Sequence, residues 1–334
     1  MGNKDAAGIV SFGAYVPGFR IRAGEISKVW TGREIREFMG VRAKSVSALG
    51  EDSTTMGFEA SRIAVKDPLE IDAVFFGSES KAYSVKNTAG IISNFLGIPE
   101  RKFSGDIEFA CKAGTTAMQV SLALVRSGMA RNALAIGSDC AQGRPGDALE
   151  YTAGCGAVAF VLGKKNLVAE IEHTVSFSTD TSDFWRASGE RFPEHSGRFT
   201  GEPGYFRHIL GAAKLLFLET NTTPTDYSHL CLHQPNAVFP KRMALLLGIP
   251  EEKLSAGLFS REIGNVYSAG TMLSIAKALS VAKRGERILA ISYGSGAGSD
   301  AFSIKVLENG KGALDFGKGT EISYGEYLRN RGLI

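Results

Sequence analysis

The chain has 334 residues, of which 44% are apolar, and this length is too great for one ordinary core but suits two fused units. Its formal net charge of +3, with no tract rich in Lys and Arg, argues against a nucleic-acid partner. The sequence has no run of about 18 apolar residues that could span a membrane, and the opening "MGNKDAAGIV" lacks the apolar core of a signal peptide, so a cytoplasmic protein is expected.

Apolar runs alternate with helical patterns along most of the chain. Residues 71–80, "IDAVFFGSES", are predicted to form a buried strand that ends in a turn, and residues 87–98, "NTAGIISNFLGI", a helix. Two further buried strands are predicted at 132–139 and 156–163. Strands that alternate with helices in this way predict an α/β fold built in layers.

The second half of the chain resembles the first. The segment "AGTTAMQVSLALVRSGMARNALAIGSD" begins at Ala113, and "AGTMLSIAKALSVAKRGERILAISYG" begins 156 residues later, at Ala269. Each opens with Ala-Gly-Thr, continues through a helix, turns at Gly and enters a strand with Leu-Ala-Ile. A repeat of this period predicts two copies of one α/β unit, in residues 8–165 and 166–334. The alternative is that any two βα units look alike.

Four polar or nucleophilic residues stand at strand ends or helix starts, two in each half. The first predicted strand has a counterpart in "SHLCLHQPN", which places Glu79 and His233 154 residues apart. Cys111 and Asn265 precede the two repeated helices. Since ligands of α/β folds bind near the carboxyl ends of strands, we expect these side chains to line one shared cleft.

Cys111 lies where an apolar stretch gives way to a helix. The partial positive charge and free N–H groups of a helix N-terminus stabilise a thiolate, which predicts a lowered pKa and a nucleophile near neutral pH. The alternative is a buried, inert cysteine, and that is what we expect of Cys140, Cys155 and Cys231. The four cysteines form no CxxC pair and have no His at metal-ligand spacing, so no metal site is expected.

Three further residues each have a chemical and a structural interpretation. His233 directly follows an apolar strand and can act as an acid, a base or an oxyanion donor, or it can be a core histidine with satisfied hydrogen bonds. Asn265 can present a polar donor opposite Cys111 or simply cap a helix. Glu79 can be a base whose pKa burial raises, or a solvated loop carboxylate. The core interpretation is preferred for the other histidines, which are His173, His195, His208 and His229.

Six motifs occur in order along the chain. They are "FACKAGT", "SDCAQGRPGDALEYTAGCGAVAF", "GRFTGEPGYFRH", "HQPN", "GNVYSAG" and "SYGSGAGSDAF". Together they resemble the 3-hydroxy-3-methylglutaryl-CoA synthases of the archaeal type, within the thiolase superfamily, from about residue 8 to the C-terminus. The Glu after "FFGS" points to this branch rather than to ketoacyl-ACP synthase III. The resemblance implies a thiolase fold, in which two pseudo-symmetric βα units form a five-layered α-β-α-β-α core.

The resemblance also implies an activity, the condensation of acetyl-CoA with acetoacetyl-CoA in the mevalonate pathway of isoprenoid synthesis. By this resemblance Cys111 is the nucleophile that takes the acetyl group as a thioester, and Glu79 is the base that removes a proton from its methyl group. His233 binds and protonates the ketone oxygen, and water then releases 3-hydroxy-3-methylglutaryl-CoA. The substrates are coenzyme A thioesters, and no metal or other cofactor is implied.

Further contacts follow from the same resemblance. Backbone donors around Gly294 are implied to face the acyl oxygens. Arg198 and Arg242 are implied as partners of the anionic end of coenzyme A. Where relatives usually have a Lys after His-Gln-Pro-Asn, this chain has Val238, and Lys241, three residues on, is expected to substitute in a helix. The side chains implied as substrate contacts are Thr152, Thr200, Asn265 and Ser295.

Partners are implied by the family more than by the residues. The resemblance implies a two-fold homodimer, and an assembly with acetoacetyl-CoA thiolase and a small OB-fold scaffold protein. The tail at 322–334 can dock a partner, or it can be an ordinary terminal strand or helix, which is the interpretation we prefer.

Three other functions share some of these features. A Cys-dependent acyltransferase, or a condensing enzyme like ketoacyl synthase III, would use Cys111 with a different acceptor. A catalytically silent scaffold within a thiolase complex would not need Cys111, Glu79 and His233 intact. A cysteine hydrolase would also use Cys, His and Asn, but no protease signature surrounds Cys111.

Overall fold

The part of the chain that the computed structural model describes comprises residues 6–140 and 142–334, without the side chain of Arg198. Its strands, in chain order, are β1 (Gly8–Tyr15), β2 (Phe19–Arg22), β3 (Ala43–Val46), β4 (Ile71–Gly77), β5 (Phe103–Ile107), β6 (Asn132–Cys140), β7 (Cys155–Gly163), β8 (Ala169–Ser178), β9 (Phe184–Trp185), β10 (Glu194–His195), β11 (His229–Leu232), β12 (Arg287–Ile291), β13 (Gly298–Val306) and β14 (Thr320–Glu321). Its α-helices are α1 (Ala23–Thr31), α2 (Ser53–Ala64), α3 (Thr88–Leu96), α4 (Ala113–Ser127), α5 (Gly197–Phe199), α6 (Phe206–Thr220), α7 (Phe239–Leu246), α8 (Ser260–Ile263), α9 (Gly270–Val281) and α10 (Tyr324–Asn330). The three strands predicted in the first half are confirmed as β4, β6 and β7, and the predicted helix between them as α3.

Local signals in the sequence explain several of these elements. Asp52 accepts a hydrogen bond from the Thr55 N–H at 2.8 Å, and the Thr55 hydroxyl accepts one from the Asp52 N–H at 2.9 Å, so a capping box starts α2. α4 ends at Gly128, whose φ of 80° is the left-handed conformation that favours glycine. All nine residues of β7 are buried, because helices cover both faces of its sheet.

Nine strands form one sheet in the order β11-β12-β13-β8-β1-β7-β6-β4-β5. In the N-terminal half, β5, β4 and β6 are parallel, while β7 and β1 are antiparallel to their neighbours. In the C-terminal half, β11 and β12 are parallel, while β13 and β8 are antiparallel to their neighbours. The order β1-β7-β6-β4 recurs as β8-β13-β12-β11, which confirms the predicted repeat. The division into residues 8–165 and 166–334 stays a prediction; it falls between β7 and β8.

In the described part of the chain, the two halves of this sheet are joined only where β1 pairs with β8 at two positions, and each half forms its own layer. Helices pack between these two layers and on their outer faces, which gives five layers in all. α4 and α9 lie in the middle, in one core cluster with residues from both halves of the sheet. α2 and α3 cover the outer face of the N-terminal half. α6 and α7 cover the outer face of the C-terminal half. Almost every residue of α9 is buried, as is usual for a helix that is covered on all sides. The α-β-α-β-α core that the resemblance implied is therefore confirmed.

The tail of the chain forms a helix, as we preferred, and this helix packs on the chain itself. Ser323 starts α10 with a capping box, and Tyr324 and Tyr327 are buried in a small core with Ile21 and Ile26 of the N-terminal half. Within residues 6–140 and 142–334, every helix is too short or too polar to cross a lipid bilayer.

The two repeated helices begin with the same unusual turn. A 3-10 turn that starts at Ala110 precedes α4, and another that starts at Tyr267 precedes α9. Both residues are left-handed, with φ of 41° and 49°, a conformation that costs a residue with a side chain about 1–2 kcal/mol. These turns lie 157 residues apart, one more than the Ala-Gly-Thr motifs predicted, so the structural counterpart of Cys111 is Ser268.

A buried ion pair joins the α4 turn to the C-terminal half. Lys112 Nζ lies 3.0 Å from Asp300 Oδ1 on β13, and the two side chains are 4% and 0% exposed. Asp300 also accepts hydrogen bonds from the Thr115 and Ser176 hydroxyls, both at 2.7 Å. The pair therefore holds the turn that carries Cys111 against the opposite half of the molecule.

We expect Lys112→Met to lower the free energy of unfolding by about 3–5 kcal/mol, because it leaves the buried Asp300 carboxylate unpaired. The double variant Lys112→Met/Asp300→Asn should be more stable than Lys112→Met, since no buried charge is then left alone. Denaturant unfolding followed by circular dichroism measures both. Arg62→Met removes an exposed pair with Glu59 and should change stability by less than about 1 kcal/mol. A double variant that is no more stable than Lys112→Met contradicts this account.

Candidate active site

Cys111 lies in the turn at the head of α4 and is 6% exposed. Its Sγ is 3.7 Å from Glu79 Oε2, so the thiol donates a hydrogen bond to the carboxylate. Glycine at position 77 permits this approach, because a Cβ on Gly77 would lie 2.3 Å from the carbonyl carbon of Ala113. The end of β4 and the start of α4 thus bring a thiol and a carboxylate together.

Asp139 holds the loop that carries Glu79. Its Oδ1 accepts hydrogen bonds from the Ser78 hydroxyl at 2.8 Å, the Ser80 hydroxyl at 2.6 Å and the Glu79 N–H at 2.9 Å. Its Oδ2 accepts one from the Ser268 N–H at 2.9 Å, in the other half of the chain. The sequence alone did not single out Asp139, although an acidic residue near the end of an apolar strand was an available signal.

Burial raises the pKa of Glu79 well above its usual value, as predicted. The negative charge of Asp139 raises the pKa further, whereas the charge of Arg186 lowers it. Arg186 also donates a hydrogen bond to the Glu79 carbonyl at 2.9 Å. A carboxylate whose pKa is raised in this way is a stronger base than an exposed one.

The predicted lowering of the Cys111 pKa is wrong. Burial raises the pKa of this thiol well above its usual value, and the negative charges of Glu79 and Asp139 raise it further. The helix N-terminus stabilises a thiolate by less free energy than it costs to bury that thiolate beside two carboxylates. The raised pKa favours the thiol over the thiolate, so the Cys111 sulfur must lose a proton during the reaction.

His233 directly follows β11, and Glu79 is the second residue after β4, so the two occupy equivalent strand ends to within one position. His233 is 1% exposed, and burial lowers its pKa to about 3, which keeps the imidazole neutral. Its buried Nδ1 has no hydrogen-bond partner in the described part of the chain. A neutral imidazole can donate or accept a hydrogen bond, which favours the donor or base role over that of a cationic acid.

The four other histidines all have hydrogen-bond partners, but the core interpretation holds only for His208, which is fully buried. The side chains of the other three, His173, His195 and His229, are 37%, 23% and 18% exposed. The contacts of the four are His173 with Glu219 at 2.8 Å, His195 with Asp147 at 2.9 Å, His208 with Thr179 at 2.7 Å and His229 with Glu286 at 2.9 Å. The unpartnered Nδ1 of His233 therefore distinguishes it within the described residues.

Asn265 joins the two halves beside the α9 turn. Its N–H donates to the Thr152 carbonyl at 2.7 Å, and its carbonyl accepts from the Gly154 N–H at 2.8 Å. Its Oδ1 accepts from the Tyr267 N–H at 2.9 Å, a local turn contact between residues two apart. The N-caps of the 3-10 turn and of α9 are Val266 and Ala269, so the helix-capping interpretation of Asn265 is wrong. Thr152 and Asn265 thus lie side by side, and Ala153 between Thr152 and Gly154 packs against the Cys111 side chain.

A glycine-rich turn lies against the other side of the α4 turn. The Gly294 and Gly298 N–H groups each donate to the carbonyl of the other residue at 2.8 Å. A Cβ on Gly294 would lie 2.6 Å from the Phe109 carbonyl oxygen, so only glycine permits this approach. The buried Asp183 carboxylate accepts a hydrogen bond from the Gly296 N–H at 2.9 Å and so fixes the turn. Asp183 is a second carboxylate that the sequence alone did not single out.

A cavity of about 360 Å³ opens beside these groups. Its lining includes Glu79, Phe109, Ala110, Phe184, Arg186 and Ser295. The cavity is therefore bounded by Glu79 and by the glycine-rich turn, and Ala110 brings its wall to the residue before Cys111. Within the described residues, no three His, Cys, Asp or Glu side chains are placed together as metal ligands.

The residues implied to contact coenzyme A are less closely gathered. The Arg242 guanidinium lies 4.6 Å from the centroid of the Phe206 ring, and Lys241 Nζ pairs with Glu251 at 2.6 Å on the surface of α7. Val238 is 46% exposed, just before α7. Thr200 is half-buried at the start of the π-helical turn Thr200–Tyr205. The side chain of Arg198 lies outside the described part of the structure.

A buried thiol at the head of a helix contacts a carboxylate, and the other half of the duplicated α/β unit carries a buried imidazole at the equivalent strand end. These features are those of a condensing acyltransferase of the thiolase type. Solved structures share the fold. An HMG-CoA synthase crystallised with CoA superposes with a TM-score of 0.87 at 22% identity, over 97% of this chain and 90% of that one. A β-ketoacyl-[acyl carrier protein] synthase III from Thermus thermophilus gives 0.81 at 21% identity, over 90% and 99%. A family model described as 3-oxoacyl-[acyl-carrier-protein (ACP)] synthase III C terminal matches residues 218–306.

Similar sequences identify the particular family. Hydroxymethylglutaryl-CoA synthase of Picrophilus torridus is 50% identical over 309 residues, which cover 91% of this chain and 88% of that protein. The enzymes of Methanocella arvoryzae and Pyrococcus horikoshii are 46% and 48% identical, each over 98% of this chain and over 98% and 93% of their own lengths. The chain belongs to the hydroxymethylglutaryl-CoA synthase family.

Proposed function

We propose that this chain condenses acetyl-CoA with acetoacetyl-CoA to 3-hydroxy-3-methylglutaryl-CoA by way of an acetyl thioester on Cys111. The observation that carries the proposal is the contact between the buried Cys111 thiol and the Glu79 carboxylate beside a cavity. Membership in the hydroxymethylglutaryl-CoA synthase family supports the same reaction, which is a mevalonate-pathway step toward isoprenoids.

The first step is acetylation of Cys111. The sulfur attacks the carbonyl carbon of acetyl-CoA, and coenzyme A leaves as its thiol with the proton that Cys111 loses. Glu79 accepts the hydrogen bond of the Cys111 thiol and so orients the sulfur, without being required as the base of this step. The thioester that results carries no charge, so the buried site accommodates it as it does the neutral thiol.

The second step forms the carbon–carbon bond. Glu79 removes a proton from the methyl group of the acetyl thioester, and its raised pKa suits this task. The enolate attacks the ketone carbon of acetoacetyl-CoA, while neutral His233 donates a hydrogen bond to the ketone oxygen as charge develops there. His233 then gives its proton to that oxygen, which becomes the hydroxyl of the product, and the proton that Glu79 took from the methyl group returns to the imidazole through water. Water then hydrolyses the bond to Cys111 and releases the product.

The remaining predicted residues act as contacts in this proposal. The N–H groups of Gly294, Gly296 and Gly298 already donate within the protein, so Ser295, which lines the cavity, is the residue of the glycine-rich turn proposed to face an acyl oxygen. One donor placed in this way contributes about 3 kcal/mol to the transition state. Four side chains are proposed to contact the acyl groups, namely Thr152, Thr200, Asn265 and Ser295. Three basic side chains are proposed to contact the anionic end of coenzyme A, namely Arg198, Arg242 and Lys241.

We expect Asp139→Asn to move the acidic limb of the pH profile to lower pH. The base must be deprotonated, so activity falls as pH drops through the pKa of Glu79. The charge of Asp139 raises that pKa, and its removal should therefore shift the limb downward, by about 1 pH unit. The measurement is kcat/KM for condensation against pH. Ser80→Ala removes the two hydrogen bonds of the Ser80 hydroxyl, with Asp139 and with the Cys140 N–H, but no charge, and should leave the limb in place. An equal shift in both variants contradicts the electrostatic account.

The proposed reaction is tested by incubating the purified protein with acetyl-CoA and acetoacetyl-CoA. Release of coenzyme A together with 3-hydroxy-3-methylglutaryl-CoA supports it. Acetylation of Cys111 without condensation supports an acyltransferase that uses another acceptor. Failure of acetyl-CoA to label Cys111, in the protein alone and in complex with a thiolase, supports a silent scaffold.

We also propose that the chain is a cytoplasmic homodimer. β5 is an edge strand of the sheet, and Phe103 on β5 and Phe95 on α3 are 44% and 72% exposed. Pairing of two such edges would continue the sheet and cover these rings. Light scattering should give twice the monomer mass of 35.6 kDa, and Phe103→Glu should give the monomer. Assembly with acetoacetyl-CoA thiolase and an OB-fold scaffold protein stays a proposal from the resemblance.

A further inference from the structure

Two cysteines outside the active site face each other across neighbouring strands. Cys140 ends β6 and Cys155 begins β7, and they are direct partners in the antiparallel register. Their Sγ atoms are 3.6 Å apart. The Cα atoms of directly opposed residues in an antiparallel pair lie about 4.5–5.5 Å apart, and a disulfide can span this distance. Rotation of the two side chains can therefore join the two sulfurs.

A half-buried arginine contacts this pair. Arg331 follows α10, and its Nη1 lies 2.7 Å from Cys140 Sγ and 3.9 Å from Cys155 Sγ. The Ser47 Oγ is 3.2 Å from Cys140 Sγ and completes the polar surroundings of that sulfur. Cys140 is partly exposed, whereas Cys155 is 2% exposed, so a small molecule from solvent reaches the pair from the Cys140 side.

The two thiols titrate as a pair. The hydrogen bond from Cys140 and the charge of Arg331 lower the pKa of Cys155 to about 6, against the opposing effect of burial. The same hydrogen bond raises the pKa of Cys140 well above its usual value. The pair thus holds one proton and one negative charge between two sulfurs near neutral pH. In contrast, burial raises the pKa of Cys231 to about 12.

We propose that Cys140 and Cys155 form a redox-active dithiol that hydroperoxides oxidise to an intramolecular disulfide, at a site separate from Cys111. The structural basis is the opposed register of the two cysteines, the short distance between their sulfurs and the Arg331 guanidinium against them. The sequence predicted two inert cysteines here, because the contact with Arg331 joins residues 191 positions apart.

The chemistry has two steps that balance with one peroxide. The thiolate attacks one peroxide oxygen, the O–O bond breaks, and hydroxide leaves and takes up a proton to become water, which gives a sulfenic acid. The sulfur of the second cysteine then attacks the first sulfur, the S–O bond breaks, and hydroxide leaves with the remaining thiol proton as a second water. The two cysteines lose two electrons, and the peroxide gains them.

Intact-mass and peptide mass spectrometry of the full chain test the proposal. After one equivalent of hydrogen peroxide at about pH 7, the mass should fall by two hydrogen atoms, with the Cys140 and Cys155 peptides linked. Dithiothreitol should restore the original mass. Cys155→Ser should give no linked peptide and should accumulate oxygen on Cys140 instead.

The role of the guanidinium is tested by the rate of disulfide formation. Arg331→Met should slow it about tenfold, because less thiolate is present near neutral pH. Arg331→Lys keeps the charge and should recover most of the rate, which separates an electrostatic effect from loss of packing. Arg329→Met, which changes an exposed arginine in the last turn of α10, should leave the rate unchanged.

Two results would overturn the proposal. One is addition of oxygen to Cys140 in the unaltered protein with no link to Cys155. The other is a linked pair that forms as fast in Arg331→Met as in the unaltered protein, which would remove the arginine from the site.

Discussion

Cys111→Ala should abolish the acetyl-enzyme and lower kcat for condensation by at least about 10⁴-fold, which is the order of loss when a covalent nucleophile is removed. The Cys111 sulfur is the nucleophile in contact with the Glu79 carboxylate, and alanine offers no atom that could take its place. Mass spectrometry of the intact protein after brief exposure to acetyl-CoA, with the modified peptide mapped, measures the first effect. Coenzyme A release measures the second.

Cys231→Ala is the matched control for this variant. Cys231 is also buried, at 0% exposed, and its thiol donates to the Ser274 carbonyl rather than to a carboxylate. This variant should be acetylated on Cys111 at a near-normal rate. Acetyl label in Cys111→Ala at another residue, with condensation retained, would refute the assignment of the nucleophile.

Glu79→Gln should keep acetylation but lower the rate of condensation by about 10²–10⁴-fold, the usual contribution of a general base. Acetylation survives because the negative charge of Glu79 raises the pKa of Cys111, so its removal makes the thiolate easier to form. Condensation is lost because no carboxylate remains in contact with Cys111 to take the methyl proton. Acetyl label and product formation are measured in the same sample.

Two observations decide whether this explanation is right. The rate at which iodoacetamide alkylates Cys111 should depend on pH with a midpoint at lower pH in Glu79→Gln than in the unaltered protein. Glu108→Gln changes an exposed carboxylate in the lining of the same cavity and should condense at a near-normal rate. Product formed by Glu79→Gln at a rate close to that of Glu108→Gln would show that Glu79 is not the base.

Much of the fold could be predicted because its signals are local. The apolar runs of β4, β6 and β7, and the duplicated Ala-Gly-Thr segments, indicate strands and helices without reference to distant residues. The relation between the two halves followed from the repeat, and the strand order confirms it. The predicted offset between the two halves was one residue too small. Matching the two Ala-Gly-Thr segments pairs each residue with the wrong neighbour, whereas the left-handed turns at Ala110 and Tyr267 show which backbone positions are equivalent.

The structure brings some of the predicted site residues together, whereas the roles assigned to them stay predictions. The contact between Glu79 and Cys111 agrees with the expected cleft, and Asn265 and Thr152 lie together. The ionisation of Cys111 was wrong, because the helix start is visible in the sequence whereas the burial of its sulfur is not. Asp139 was missed for the same reason, since four of its hydrogen-bond donors come from residues about 60 or 129 positions away.

The sequence by itself determined the alternation of strands and helices, the duplication, and which residues at strand ends carry reactive side chains. Only the tertiary structure decided the protonation of those side chains, the carboxylates that anchor the loops, and the contact of Arg331 with two cysteines. The physical reason is that backbone preference depends on neighbours in the chain. The free energy of an ionised side chain depends instead on how far the folded protein excludes solvent from it and on which other charges lie near it, and both are set by packing between residues distant in the chain.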